Sequence, residues 1–405
     1  MGEWKEVTID QIKANSPNAL ATGPFGSAIS SKFFTDNGVP VIRGGNLSAD
    51  ISNRLSETGL VFISTSKAEE FKRSEVRKGD LVFTCWGTIN QIGLIDGKGS
   101  YPVYIISNKQ MKLTPHPKKA DPFFLYYFFS SPQMQEQILS SNIGSSVPGF
   151  NLGQLKAIEL NLPPLPEQKG IASVLTSLDD KIDLLHRQNK TLEAMAETLF
   201  RQWFVEEAQE DWEENSLLEV IQLIGGGTPK TAIAEYWDGD IPWLAGGDIA
   251  SNHKSFINYS VKSITEVGLN NSSAKLLPKY ATVISARGTV GKYCLLSQPM
   301  AFSQSNYGIL PNISECFFFT YLLVNHVVEE LQSSAYGSVF DTITTTTFKE
   351  IKIPLPTKSE ILRFEQSVSL YFKKMFLNKS QIHTLEKLRD TLLPKLMSGE
   401  VRVKI

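Results

Sequence analysis

The sequence has few of the residues that would indicate a disulfide-bonded or metal-binding protein. Only three of its 405 residues are cysteine, Cys85, Cys294 and Cys316, and no two form a C-x-x-C pair. Single, widely spaced cysteines argue against a disulfide framework and a structural zinc site. The five histidines also lack metal-ligand spacing. We therefore expect no bound metal, and three thiols in or near the core.

Long apolar runs are missing as well. The longest, residues 123–129 and 317–324, are far shorter than the roughly 20 residues that span a bilayer. Residues 1–20 contain several charged side chains and no apolar run, so they resemble neither a secretory nor a transit signal. These absences predict a cytoplasmic protein with no membrane contact.

The motifs of methyl-transferring and nucleotide-using enzymes are also absent. Residues 161–165, Asn-Leu-Pro-Pro-Leu, are not the Asn/Asp-Pro-Pro-Tyr/Phe motif of an amino-methyltransferase. Gly97-Lys98-Gly99 lacks the first glycine and the Ser/Thr of a phosphate-binding loop, and no glycine-rich fingerprint opens a helix after a strand. The sequence therefore predicts no catalytic residue and no cofactor bound by this chain.

An internal duplication is present. Similar segments recur in the same order 196 to 202 residues apart, which marks a repeated architecture. The matching segments are Gly26-Ser27 with Gly227-Thr228, residues 39–46 with 241–248, residues 79–88 with 280–289, and residues 107–110 with 303–306. Short β-branched and aromatic runs between turn residues predict strands with one or two helices in each copy. Each copy is thus predicted to be an α+β domain of ordinary size.

Two Pro-poor stretches after the copies repeat apolar residues every seven positions, which is typical of coiled-coil helices. The predicted seam of the first helix is Ile171, Leu175, Leu178, Ile182, Leu185, Asn189, Leu192 and Leu199. That of the second is Ile361, Phe364, Val368, Tyr371, Met375, Asn378, Ile382, Leu385 and Leu392. The alternative is that each is an ordinary amphipathic helix on its own domain. A helix of about 40 residues is about 60 Å long, which suits a spacer.

Charge suggests that these two helices pair with each other. Acidic residues outnumber basic ones by twelve to five in residues 161–215, whereas basic residues outnumber acidic ones by ten to five in residues 357–405. The predicted fold is therefore α+β, with two similar domains (1–160 and 216–356) joined by two long antiparallel coiled-coil helices (161–215 and 357–405). This duplication predicts pseudo-two-fold symmetry.

Two conserved-looking stretches resemble a known family. Residues 162–168, LPPLPEQ, followed by LDDKI at 178–182 and TLEAMA at 191–196, resemble the central conserved region of type I restriction-modification specificity subunits. Residues 393–401, LPKLMSGEV, resemble their distal region, and with the duplicated domains the resemblance covers essentially the whole chain. The second helix begins instead with Pro356-Thr357-Lys358-Ser359-Glu360, so its docking surface is not predicted to match that of the first.

The resemblance implies a non-catalytic subunit of a type I restriction endonuclease and DNA adenine methyltransferase complex. Each α+β domain would be a target-recognition domain that reads one half of a bipartite, asymmetric site in double-stranded DNA. The helices would set the half-site spacing and dock two methyltransferase (modification) subunits, which motor-nuclease (restriction) subunits can join. S-adenosylmethionine, ATP and Mg²⁺ would bind those partners.

Base reading requires Arg, Lys, Asn or Gln on exposed loops, and phosphate contacts require Lys, Arg, Ser and backbone N–H groups. The candidates in the first copy are Arg43, Asn46, Lys67, Lys72, Arg73, Thr88, Asn90, Gln91, Asn108, Lys109 and Gln110. Those in the second are Lys230, Asp248, His253, Lys254, Arg287, Thr289, Lys292, Gln304, Ser305 and Asn306. Arg43 stands against Ala245 and Asn90 against Val290, so the half-sites are predicted to differ. The net charge of −2 predicts weak DNA binding by the chain alone.

Three other functions are compatible with a duplicated chain. A self-sufficient methyltransferase is disfavoured by the missing motifs. A stand-alone two-lobed DNA-binding regulator would need no partner, and a scaffold without a nucleic-acid role would lack a basic face on either domain.

Overall fold

A computed structural model of the chain describes residues 3–144, 146–210, 212–336 and 342–404. The chain forms two compact units: Met1–Leu184 with Ile382–Ile405, and Leu185–Gln381. Each unit contains sheets, short helices and a portion of two long helices, Leu165–Arg201 and Lys358–Ser398. The predicted α+β fold with two long helices is confirmed.

The first unit contains three sheets. Lys5–Thr8 and Glu159–Leu162 pair antiparallel, so the strand at the start of this unit lies beside the strand that precedes the first long helix. The four-stranded sheet has the order Leu20–Thr22, Gln110–Leu113, Leu81–Thr84 and Ile92–Leu94. The five-stranded sheet has the order Phe34–Thr35, Val61–Ile63, Val39–Ile42, Val103–Ile106 and Glu75–Arg77. The short helices are Ile9–Ile12, Thr65–Glu69, Pro122–Ser130, Pro132–Ser140 and Leu152–Ala157, with 3-10 turns at Ser31–Phe33, Gly44–Asn46 and Lys72–Ser74.

The second unit repeats this strand order. Glu214–Ser216 pairs with Lys352–Pro354. A five-stranded sheet has the order Ile221–Gly225, Asn306–Pro311, Thr282–Ser285, Tyr293–Leu296 and Phe256–Ile257, and a four-stranded sheet has Lys262–Ile264, Trp237–Leu244, Met300–Phe302 and Leu276–Leu277. The short helices are Gly246–Ser251, Glu266–Asn270 and Thr345–Glu350, Phe317–Tyr336 is a helix of 20 residues, and there are 3-10 turns at Leu217–Glu219 and Ala234–Tyr236 and a π turn at Gln202–Glu206. Both units share a parallel strand pair at the same place, Val39–Ile42 with Val103–Ile106 and Trp237–Leu244 with Met300–Phe302, and the second unit has another, Phe256–Ile257 with Tyr293–Leu296. The predicted internal duplication is therefore present in the fold.

Local sequence explains where the two long helices begin. The N–H groups of Glu167 and Gln168 donate to the Pro164 carbonyl at 2.9 and 3.0 Å, so the helix starts directly after the prolines. The second helix starts with a capping box, in which the Thr357 N–H donates to the Glu360 carboxylate at 2.8 Å and the Glu360 N–H donates to the Thr357 hydroxyl at 3.3 Å. The sequence at the start of the second long helix therefore also specifies a helix start, although it differs from that of the first.

The two long helices run antiparallel in each unit. In the first unit the Arg389 guanidinium donates to the Asp179 carboxylate at 3.0 Å. Farther along, Arg402 donates to the Glu167 carboxylate. In the second unit the Asn378 amide donates to the Asn189 amide oxygen at 2.8 Å, and Gln209 donates to Glu360 at 2.7 Å. Arg402 lies just after the second helix and Gln209 just after the first, and in each unit the contacting residue numbers rise along one chain segment as they fall along the other.

Every predicted seam residue is buried or half-buried. Those that are buried are Ile171, Leu175, Ile182, Leu185, Ile361, Phe364, Val368, Met375, Asn378 and Ile382. Those that are half-buried are Leu178, Asn189, Leu192, Leu199, Tyr371, Leu385 and Leu392. The heptad pattern omitted Phe372, which is fully buried and stacks on Phe318 with a centroid distance of 4.5 Å. The second helix therefore packs against its own domain as well as against the first helix.

All three cysteines are buried free thiols, as predicted. Within the described ranges, no helix has the length and apolar character needed to cross a membrane.

Candidate nucleic-acid interface

Three loops of the first unit are joined by backbone hydrogen bonds. They are residues 43–46, 85–91 and 107–109. The Ser107 N–H donates to the Ile42 carbonyl at 3.0 Å, and the Cys85 N–H donates to the Lys109 carbonyl at 2.8 Å. Each loop follows a strand of the core, so the sheets fix where the loops begin. We call these residues the three-loop surface of the first unit.

The second unit builds the same arrangement. Its three-loop surface consists of residues 245–248, 286–292 and 303–305. The Ser303 N–H donates to the Leu244 carbonyl at 2.9 Å, and the Ala286 N–H donates to the Ser305 carbonyl at 2.9 Å. The two surfaces therefore share a main-chain framework that does not depend on their exposed side chains.

This framework corrects two of the predicted residue matches. The N–H groups of Gln91 and Lys292 close the same turn in their loops, so these two residues are equivalent. Asn90 therefore corresponds to Gly291, and its predicted match with Val290 is one residue out. The conclusion that the two surfaces differ is unchanged.

The other correction concerns the glycines near the start of each copy. A Cβ atom on Gly23 would lie 1.8 Å from the carbonyl oxygen of the first residue of the third loop, and one on Gly226 would lie 2.2 Å from the equivalent oxygen. These two glycines permit the same close backbone approach. The predicted match of Gly26 with Gly227 is therefore wrong by two residues.

Two of the candidate residues hold the first loop of each surface in place. The Asn46 side-chain oxygen accepts from the Arg43 N–H at 2.9 Å, and the Asp248 carboxylate accepts from the Ala245 N–H at 2.8 Å. The Asn46 amide also donates to the carbonyl of Ser56 at 3.0 Å. Asn46 is buried and Asp248 is half-buried. Their polar atoms are thus already used within the protein.

Gln110 and Asn306 occupy the equivalent place beside the third loop. Both are buried. With its amide oriented to satisfy both ends, Gln110 donates to the Ile42 carbonyl at 3.3 Å and accepts from the Gly44 N–H at 3.2 Å. The Asn306 amide donates to the Ser303 hydroxyl at 2.8 Å. These amides were expected on exposed loops, but burial requires that they satisfy backbone groups, and they position the loops instead.

The remaining candidates of the first unit fall into two groups. Arg43, Thr88, Asn90, Gln91, Asn108 and Lys109 lie on the three-loop surface, where Arg43, Thr88, Asn108 and Lys109 are exposed. Arg73 approaches this surface, because its guanidinium lies 5.7 Å from the Phe25 ring and Asn108 donates to the adjacent Gly26 carbonyl. Lys67 and Lys72 are elsewhere, in ion pairs with Glu70 and Glu69.

The second unit shows the same division. Arg287, Thr289, Lys292, Gln304 and Ser305 lie with Asp248 on the three-loop surface, and Arg287 and Gln304 are exposed. His253 and Lys254 lie outside the three loops but next to the end of the second one, where the Tyr293 N–H donates to the His253 ring at 3.3 Å and the Lys254 N–H donates to the Tyr293 carbonyl at 2.9 Å. The Lys254 ammonium is 3.9 Å from the Glu197 carboxylate, and burial together with nearby Lys292 lowers the pKa of His253. Lys230 is exposed on a separate segment, where its carbonyl accepts from Trp237 at 3.3 Å.

Sequence reasoning missed two exposed aromatic side chains of the first unit. Phe25 is 76 % exposed, and Trp86 is 44 % exposed within the second loop. The sequence signal that could have identified Trp86 is the match of Cys85-Trp86-Gly87-Thr88 with Ala286-Arg287-Gly288-Thr289. Because tryptophan is usually buried, it was not considered for a surface role.

Both surfaces are locally basic although the whole chain is not. The three loops of the first unit contain Arg43 and Lys109 and no carboxylate. Those of the second contain Arg287 and Lys292, and their single carboxylate, Asp248, accepts hydrogen bonds from backbone N–H groups. Such surfaces suit a polyanionic ligand. In the described part of the chain, no group of three or more His, Cys, Asp or Glu side chains is arranged to hold a metal ion.

Comparison with known proteins agrees with a duplicated DNA-reading chain. The family model for the type I restriction modification DNA specificity domain matches twice, over residues 2–194 and 209–390. The two matches together span most of the chain.

Individual relatives cover the chain from end to end. The specificity subunit of type I restriction enzyme HindI from Haemophilus influenzae is 23% identical over 99% of this chain and 100% of its own. A putative MjaX specificity subunit from Methanocaldococcus jannaschii is 24% identical over 91% of this chain and 88% of its own. The crystal structure of the S subunit of a type I system from M. genitalium has a similar fold, with a TM-score of 0.65 and 18% identity over 97% of this chain and 96% of that one.

Proposed function

Because this chain belongs to the family of type I restriction modification DNA specificity domains and contains two of them, we propose that it reads a bipartite, asymmetric DNA target with one unit for each half. The chain is a specificity subunit, a non-catalytic component of a type I restriction-modification system. In this proposal residues 1–160 and 216–356 are the recognition domains, and residues 161–215 and 357–405 are the helices between them.

The observation that carries this proposal is the shared framework of the two three-loop surfaces. The same backbone bonds hold both, yet the exposed side chains differ: Arg43 is replaced by Ala245, and Lys109 by Ser305. Base edges in the major groove are distinguished by the donors and acceptors presented to them. Two surfaces of one shape with different side chains therefore suit two different half-sites.

The long helices are proposed to set the half-site spacing and to dock modification subunits. The first helix has 37 residues and is about 56 Å long. The second exposes Leu362, Leu370 and Leu377 at spacings that place them on one face, and the last two are 71 % and 60 % exposed. Exposed leucines in such a stripe favour a protein partner. The S-adenosylmethionine, ATP and Mg²⁺ of the reaction are assigned to the partners.

The reader role is tested by co-expressing this chain with the modification subunit encoded beside it and mapping methylated bases in the host DNA. A split motif with an unspecified gap, present with this chain and lost without it, is the expected result. A methylome that does not change when this gene is deleted contradicts the proposal and favours a regulator or a scaffold. The family match does not favour either of those alternatives.

The spacer role is tested by shortening both helices together. Deleting residues 182–188 and 379–385 removes one heptad from each helix and keeps the Asp179–Arg389 and Asn189–Asn378 contacts in register. Because each residue rises 1.5 Å, the gap between half-sites is expected to shorten by about 10 Å, or about three base pairs. An unchanged gap in the methylated motif contradicts the spacer role. Deleting the first segment alone is the control, since it breaks the register.

A further inference from the structure

Trp86 and Arg287 occupy the same position in the two units. The residue before each, Cys85 or Ala286, donates its N–H to the third loop at 2.8 or 2.9 Å. The residue after each is a glycine with a positive φ, +98° at Gly87 and +76° at Gly288. A left-handed residue at this point turns the chain sharply and leaves the preceding side chain at the tip of the loop.

Additional contacts hold this tip in each unit. The Phe150 N–H donates to the Cys85 carbonyl at 3.0 Å, and the Ile343 N–H donates to the Ala286 carbonyl at 3.1 Å. Backbone bonds thus brace the loop from both sides. A side chain on a braced loop is presented with little loss of entropy on binding.

The side chains at this shared position have different chemistry. Trp86 presents a large apolar ring, which is partly supported by packing over Gly149. Arg287 is exposed, and no carboxylate among the described residues forms an ion pair with it. Neither side chain is used to hold the fold, so each is available to a ligand.

We infer that this position determines specificity in both half-sites, with Arg287 reading a guanine and Trp86 contacting the methyl group of a thymine. The inference rests on the proposed function. An arginine fork matches the O6 and N7 acceptors of guanine in the major groove, whereas a large apolar side chain matches the C5-methyl group of thymine. The two bases lie in different half-sites.

The expected effects follow from these contacts. Loss of a bidentate arginine–guanine contact lowers discrimination by about 5- to 150-fold. Loss of one methyl contact lowers it by about fourfold. Arg287 is therefore the stronger determinant of the two.

The first measurement maps the methylated motif of the complex with wild-type chain, Arg287→Ala and Trp86→Ala. Each variant is expected to relax one base pair, R287A at a G·C pair in one half-site and W86A at a T·A pair in the other. Lys275→Ala and Leu139→Ala are matched controls on exposed residues outside the three-loop surfaces, and they leave the motif unchanged. Relaxation in the same half-site, or none, overturns the inference.

The second measurement uses synthetic duplexes that contain the wild-type motif, with the methylation rate of the purified complex as the readout. Replacing the relevant guanine by 7-deazaguanine removes N7 and is expected to slow the wild-type complex but not the R287A complex. Replacing the relevant thymine by deoxyuridine removes the methyl group and is expected to slow wild type but not W86A. Equal slowing of variant and wild type overturns the assignment of that base. A wild-type complex with no split motif would refute the proposed function itself, which is a distinct outcome.

Discussion

Tyr127 in the first unit and Tyr321 in the second each donate to an acidic side chain of the first long helix, but the two acids are compensated differently. In the first unit the Tyr127 hydroxyl donates to Asp179 at 2.5 Å, and Arg389 donates to the same carboxylate. In the second unit the Tyr321 hydroxyl donates to Glu193 at 3.1 Å. Among the described residues, no lysine or arginine forms an ion pair with Glu193.

The first unit holds its domain to the helices with a buried charge network. Arg54 lies 3.8 Å from Asp179, 3.2 Å from Asp96 and 3.2 Å from the Tyr127 hydroxyl. Burial lowers the pKa of Arg54, but its contacts with Tyr127, Asp96 and Asp179 raise it by more. Both Arg54 and Arg389 are therefore charged, and they oppose the increase in the pKa of Asp179 that burial causes.

The second unit relies on neutral groups and aromatic packing at the same interface. Burial and, to a smaller extent, nearby Glu197 raise the pKa of Glu193 against the opposing effects of Tyr321 and Lys254, and the result is a pKa of about 7. Phe200, Phe204 and Phe319 pack there with centroid distances of 5.1 to 5.9 Å. The two copies of a duplicated fold can thus be joined to the long helices by different interactions.

The largest expected effect is that of Asp179→Asn. Removing this charge leaves Arg54 and Arg389 without their shared partner, so the free energy of unfolding is expected to fall by about 3 kcal/mol. Urea unfolding followed by tryptophan fluorescence measures the change. Asp36→Asn, an exposed change in the same unit, is the control and is expected to alter stability by less than about 0.5 kcal/mol. Equal stability of D179N and wild type would show that the network does not hold the first unit.

The next effect is a dependence on pH in the second unit. Glu193 has a folded pKa of about 7, above its ordinary value of 4.5, so its stabilising contribution is complete below pH 4.5 and is lost as the pH rises through 7. The wild-type free energy of unfolding is expected to fall by about 2–3 kcal/mol over that interval from this group. Glu193→Gln, which keeps an acceptor for Tyr321, removes that part of the slope.

Glu365 is expected to contribute to the same pH dependence of stability, so its variant is measured in the same experiment. Burial raises its pKa to about 7, although it accepts N–H bonds from Phe318 and Phe319 at 3.2 and 2.7 Å. Its Gln variant is expected to remove a separate part of the slope. If urea unfolding of wild type, E193Q and E365Q shows the same slope between pH 4.5 and 8, the neutral state of these carboxyls is disproved.

The smallest expected effect concerns the polar contact between the helices. Asn378 is fully buried and bonds to Asn189, whose amide in turn lies 3.5 Å from the Met375 carbonyl. Asn378→Leu alone removes the donor to the Asn189 side-chain oxygen and is expected to cost about 1–2 kcal/mol. Adding Asn189→Leu is expected to recover most of that loss, because two apolar groups pack in the seam. Additive losses in this double-mutant cycle would contradict a direct interaction.

Periodicity and turn residues revealed much of the fold. The seven-residue repeat identified seam residues such as Leu175, Ile182 and Val368, because helix contacts depend on local spacing. The duplication was visible because glycines and prolines mark the same turns in both copies. A change of two residues in the offset near the start of each copy misaligned Gly26, and Asn90 was matched one position out although no insertion separates it from Thr88, since sequence alone does not show which N–H closes a turn.

Sequence patterns did not predict the buried charge network or which loop side chains are exposed. Arg54, Asp179 and Arg389 are more than 100 residues apart in sequence, and no local pattern joins them. Asn46 and Gln110 have side chains that suit base reading, yet the backbone of neighbouring loops uses their amides. Trp86 was overlooked for the opposite reason, because its exposure depends on the braced loop that carries it.

The main-chain bonds of the three-loop surfaces also bear on how such a chain evolves. Cys85 and Ala286 donate only their N–H groups to the neighbouring loop, so almost any side chain at the tip is compatible with the same loop shape. Under the proposed function, point mutations there would alter the base contacts at little cost to folding. New preferences can therefore accumulate one substitution at a time, and independently in the two units.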